Sequence, residues 1–173
     1  MIGARYPAGI RLAHWATAAL VLSLLCLGLA MVESLATWRI VGLAVHKIAG
    51  LTVLFLTVLR IGLRSGHRAA PLPDTVGRSQ RAAAAATHLL LYCLLLAVPL
   101  TGWAMQGAAG IPVVLPGGLV LPPIANQDLV AYGILRQAHG ILTLTLLATI
   151  LLHVGGALHH GVVKRDGVLR RML

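Results

Sequence analysis

His139 and His153 stand fourteen residues apart in one apolar stretch. Fourteen helical steps of about 100° return to within about 40° of the starting face and climb about 21 Å. One helix would thus carry two imidazoles on one side, near its two ends. Ligand-type side chains are rare in apolar spans, which makes each of them a functional candidate. Neutral imidazole is an axial ligand for iron. Two such ligands on one helix call for partners at two depths, and His14, His46 and His88 stand early in the other apolar stretches.

The elements that must position them are legible in composition. Of 173 residues, 58% are hydrophobic and 10% charged, and the mean hydropathy is +0.90. A soluble domain carries about 25% charge, so this chain lacks the means to cover a water-facing surface. Its apolar residues fall in four blocks, 12–32, 41–61, 86–106 and 137–158, each long enough to cross a bilayer. The first is longer than the apolar part of a signal peptide and carries His14 and Trp15, so it reads as a retained span. The expected fold is all-α: a single membrane domain, a transmembrane four-helix bundle running up and down.

The net charge of +10 is explained by a membrane and gives no reason to invoke nucleic acid. Arg5, Arg11, Arg60, Arg64, Arg68, Arg78, Arg81, Lys164, Arg165, Arg170 and Arg171 fall on one side, and Arg39, Lys47 and Arg136 on the other. The positive-inside rule then places both termini and the 62–85 connection, with its run Ala-Ala-Pro-Leu-Pro-Asp-Thr at 69–75, in the cytoplasm. Residues 107–135 form the outer connection, apolar and rich in Gly and Pro. That composition excludes a continuous helix and suggests a cap over the outer face, with a short helix near 126–134. Cys26 and Cys93 read as packing residues, and no C-x-x-C-H motif is present, so a haem would be held non-covalently.

Topology pairs the histidines. His14 and His153 share the inner depth, His46 and His139 the outer, which suits two bis-histidine haems. The fourteen-residue spacing recurs: Gly28 follows His14, Gly102 follows His88 and Arg60 follows His46. Gly28 and Gly102 are expected to clear space for the outer porphyrin, helped by Gly50 and Gly140, and Arg60 to meet the inner propionates. Arg136 could serve the outer haem in the same way. His88 lies level with the inner pair, free for a propionate or a quinone oxygen. His159 and His160 end the last span beside Lys164, Arg165 and Asp166, an edge suited to anchoring or to proton transfer. Zinc would want cysteine or carboxylate partners, and a proton channel would thread acids through the spans. Glu33, Asp74, Asp128 and Asp166 all fall at ends or in loops.

The segments RLAHWATA at 11–18, HKIAGLTVLFLTVLRIGLR at 46–64, HLLLYCLLLAVPLTGWAM at 88–105, HGILTLTLLATILLHVGGALHH at 139–160 and RDGVLRRML at 165–173 resemble bacterial cytochrome b561, the small diheme four-helix family. The resemblance implies two b-type haems in the cytoplasmic membrane, with His14, His46, His139 and His153 as axial ligands, and electron exchange with quinones. One branch, the superoxide oxidases, passes electrons from superoxide to ubiquinone and has counterparts of His88, His159 and His160. The weakest match is the outer connection, which is nearly uncharged, so steering of an anionic donor would fall to Lys47 and Arg136, with Arg39 as a third. Related cytochrome b subunits of hydrogenases and formate dehydrogenases use similar helices to dock a partner enzyme. The leading expectation is therefore an electron-transfer oxidoreductase of the superoxide:ubiquinone type, and the alternative an anchor or relay subunit of a larger complex.

Overall fold

The computed structural model describes residues 5–66 and 76–173; Arg68, Asp74 and the 69–75 run lie outside them. Helices α1 (Ala8–Glu33), α2 (Trp38–Ser65), α3 (Arg78–Ala108) and α4 (Leu129–Leu158) make the bundle. Each is long and apolar enough to cross a membrane. Large apolar side chains such as Leu12, Leu22, Phe55, Leu100 and Leu151 cover the outside, a surface that suits lipid rather than water. Cys26 and Cys93, expected to pack inside, lie on the exposed surface instead, because the inward stripe of each helix is already filled by its neighbours.

Local chemistry sets the helix ends. Asp128 caps α4, its Oδ1 accepting from the Val130 and Ala131 amides at 2.8 and 3.0 Å. Ser34 Oγ accepts from the Ala36 amide in the short link between α1 and α2. Between α3 and α4 the chain folds back as a small ribbon, β1 (Val113–Val114) against antiparallel β2 (Val120–Leu121). Gly117 and Gly118 turn it at φ values of +90° and +83°, which only glycine adopts without cost. The residues of 107–135 thus divide among the end of α3, this ribbon and the first turns of α4.

The packing is mainly sequential, with α3 most extensively on α4, then α1 on α2 and α2 on α3, while α1 and α4 approach less closely than these. Buried threonines mark close helix approaches. Thr17, Thr57 and Thr149 each donate to the carbonyl four residues back, at 2.6, 2.7 and 2.7 Å, so these three hydroxyls are satisfied within their own helices.

Halfway along the bundle lies the dry core: Val21, Leu25, Val53, Leu94, Leu95 and Leu146. Four of these sit seven residues from both ends of a fourteen-residue interval. Val21 falls between His14 and Gly28, Val53 between His46 and Arg60, Leu95 between His88 and Gly102, Leu146 between His139 and His153. Seven residues are close to two turns, so the midpoint shares the face of both ends. One apolar layer therefore separates two levels of polar side chains.

Past α4 the helix widens into a π turn over His159–Lys164. Arg165 at φ +51° and Gly167 at φ +80° reverse the chain. The tail then crosses to α1, where Trp15 Nε1 donates to the Met172 carbonyl at 2.8 Å and the Tyr6 amide to the Arg171 carbonyl at 3.0 Å.

Candidate haem-binding centre

At the hairpin end, α4 carries His139 and α2 carries His46. The two imidazoles are close enough to act on each other electrostatically. His139 Nδ1 donates to the Val98 carbonyl at 3.0 Å, with Thr101 Oγ1 at 3.2 Å. A carbonyl can only accept, so the proton sits on Nδ1 and the Nε2 lone pair is left for a metal, the usual arrangement behind a ligating imidazole. His46 Nδ1 is buried without a hydrogen-bond partner. A buried polar atom of that kind is costly, and iron bound at that nitrogen would resolve it.

Gly28 and Gly102 belong to this level, and their neighbours are informative. A Cβ on Gly102 would stand 3.2 Å from His139 Cε1 and 3.5 Å from its Nδ1, and one on Gly28 would stand 3.4 Å from His46 Cε1. The clearance expected for a porphyrin is in the first place clearance for the imidazoles, and at Gly102 it lets His139 reach the Val98 carbonyl. Around Gly50 and Gly140 there is open space. Lys47 is half-buried beside His46, and Arg136 is exposed three residues before His139.

The opposite level is more crowded. His14 and His153 have ring centres 6.3 Å apart, and His88 lies 5.3 Å from His153. His14 on α1 and His153 on α4 would hold a haem iron between them, with His88 of α3 beside His153. Arg60 joins them, its Nη2 donating to His14 Nδ1 at 3.1 Å, with its guanidinium 5.6 Å above the Tyr92 ring. Since guanidinium only donates, His14 here accepts at Nδ1. Ligation through Nε2 of a neutral imidazole needs the proton on Nδ1, so Arg60 must then turn to an acceptor such as a propionate. With that one rotation the inner imidazoles have the chemistry to hold a haem, and at the outer level the bonded Nδ1 of His139 and the unpartnered Nδ1 of His46 suit one as well. Among the described residues no group of three or more His, Cys, Asp or Glu converges as a metal cluster would require.

A cavity and one side-chain contact go beyond what residue spacing predicts. A cavity of about 270 Å³ opens under the ribbon, bordered by Trp103, Ile111, Val113, Leu121 and Gln127. At the other end, His160 Nδ1 meets Asp166 Oδ2 at 2.5 Å, while the exposed His159 has its ring centre 6.0 Å from that of His160. Burial alone would raise the Asp166 carboxyl. The hydrogen bonds from His160 and the Val168 amide, with Lys164 nearby, hold it below the ordinary carboxylate range.

Four apolar spans with imidazoles at two depths define a multi-pass membrane protein of the haem b electron-transfer class. The prokaryotic cytochrome b561 family model matches residues 5–173, and the chain belongs to that family. It is similar to cytochrome b561 homolog 2 of Escherichia coli (strain K12), 29% identical over 163 residues that cover 92% of this chain and 86% of that protein.

Proposed function

We propose that the chain is a diheme b-type cytochrome of the bacterial inner membrane, with both termini inside, that carries electrons from a small outer donor of the superoxide class to ubiquinone or a similar quinone. The observation that carries this is the double level of histidines on α4, one facing His46 and the other facing His14. His46 and His139 would hold the outer haem, His14 and His153 the inner one; bound there, haem supplies reversible one-electron transfer at each level.

The chain's own residues do the rest. The Val98 carbonyl and Thr101 hydroxyl fix the His139 tautomer. Val21, Val53, Leu95 and Leu146 keep water out between the levels. Lys47 and Arg136 concentrate an anionic donor at the hairpin end. Arg60 neutralises inner carboxylates, His88 offers a hydrogen bond at the same depth, and His159 and His160 exchange protons with cytoplasmic water during quinol formation.

The test uses purified, haem-loaded protein in vesicles containing quinone. Superoxide alone should reduce the haems, and neutralising Lys47 and Arg136 should slow that step. The double variant His159→Ala, His160→Ala should keep rapid haem reduction and lose most quinol formation. Unchanged quinol formation would move the quinone to the cavity beneath the ribbon, whose apolar walls and Gln127 amide suit a neutral carbonyl ring. No reduction by superoxide, with a second polypeptide co-purifying, would instead favour the anchor or relay subunit.

A further inference from the structure

Asp166 serves no purpose in the scheme above, yet the chain goes to some length to place it. The Arg165 and Asp166 amides both turn back to the His160 carbonyl, the latter at 3.4 Å. The tail behind them docks on the π turn: a Cβ on Gly161 would stand 2.5 Å from Leu169 Cδ2. Lys164 Nζ donates to Gln80 Oε1 at 2.6 Å, tying the turn to α3. The carboxylate so placed is 6% exposed; its Oδ2 meets His160 Nδ1 and its Oδ1 accepts from the Val168 amide at 3.1 Å. His160 keeps 18% of its side chain exposed. Wide helical turns of this kind recur at functional sites.

We propose that Asp166 is a positioning residue that holds His160 through Nδ1 and leaves Nε2 as the proton donor to quinone. The proposal rests on the reading that quinone is reduced at this end. Each quinol requires two electrons and two protons. Two superoxide-class donors lose one electron each and leave as dioxygen, and each quinone C=O becomes C–O–H. His160 Nε2–H supplies one of the two protons and is refilled at the same nitrogen from cytoplasmic water, which delivers the second proton directly to the other oxygen. The carboxylate fixes the ring orientation and keeps the Nδ1 proton in place, as acceptors behind a working imidazole do. Among the described residues, His160 meets Asp166 and has its ring centre 6.0 Å from that of His159, while Lys164 acts on Asp166 and is bonded to Gln80 of α3.

Asp166→Asn separates this role from a structural one, because the amide oxygen can still accept from Val168 and keep the turn. In the haem-loaded protein, D166N should leave haem content and haem reduction by superoxide unchanged. General acids contribute about 10²–10⁴-fold, so a misoriented one should cut kcat for quinol formation about ten-fold with KM unaltered. D166E should recover part of the rate. Nitrogen-15 NMR of labelled histidine should show the His160 Nδ1 proton in the native protein and its loss or shift in D166N. In a His160→Ala background D166N should have no further effect. If H160A alone leaves quinol formation intact, the quinone reading falls. If H160A slows it and D166N neither slows it nor alters the imidazole signal, Asp166 is structural and the proposal is overturned while that reading stands.

Discussion

Gly102→Ala adds a single carbon where the structure has none to spare. The new Cβ would stand 3.2 Å from His139 Cε1, whereas carbons rest at about 3.5–4.0 Å, so the ring must retreat by roughly 0.3 Å or more. The Val98 carbonyl lies one turn back on the same helix, so the retreat stretches a hydrogen bond that is 3.0 Å toward the end of its useful range. Losing that bond costs about 0.5–1.5 kcal/mol. Gly102→Leu adds overpacking of about 1–3 kcal/mol, and the larger figure corresponds to about 150-fold in occupancy. Gly28→Ala is the control, because its Cβ would meet His46 Cε1 at 3.4 Å, close to ordinary contact. The haem-to-protein ratio and the reduced-minus-oxidised spectrum, measured over a haem titration, should rank the variants native, G28A, G102A, G102L in falling affinity of one site. Full occupancy and an unaltered spectrum in G102L, or a larger defect in G28A than in G102A, would refute the reasoning.

Alanine at His14 or His153 should remove one haem and at His46 or His139 the other, while His88→Ala should retain two; haem stoichiometry with potentiometric titration distinguishes the sites, and a one-haem His88→Ala protein would reassign the ligands. Leu146→Ala, at a residue 3% exposed between the levels, should cost about 2–5 kcal/mol as a lower melting temperature in detergent, with both haems still bound. The Asp166 carboxyl is depressed in the folded protein, so its contribution to tail docking is present above the ordinary carboxylate range and is lost as pH falls through its lower folded value. Trp15, bonded to the Met172 carbonyl, reports on this: in a Trp38→Phe, Trp103→Phe background its fluorescence should change on acidification, and D166N should abolish the transition.

Much of the bundle is legible in the chain because lipid imposes simple demands. A span must be apolar and about twenty residues long, its backbone must satisfy itself as a helix, and any imidazole within it stands out. The fourteen-residue intervals could be read for the same reason, since helix geometry converts a count directly into a depth and a face. Contacts between residues far apart in sequence were beyond that arithmetic. Nothing local says that Gly102 faces an imidazole rather than open porphyrin space, that Arg60 lies on His14, or that both cysteines face outward. The residues of 107–135 were ambiguous because a Gly- and Pro-rich apolar segment meets its backbone needs in several ways, and the ribbon pairing Val113 with Leu121 is a choice made across eight residues. His160 and Asp166 are only six apart, yet a regular helix would separate them by about 9 Å of rise. Sequence alone determined that this chain spans a membrane four times with imidazoles at two depths; the tertiary structure alone decided which atoms those imidazoles meet, because a π turn and one left-handed residue bring together what continued helix would have held apart.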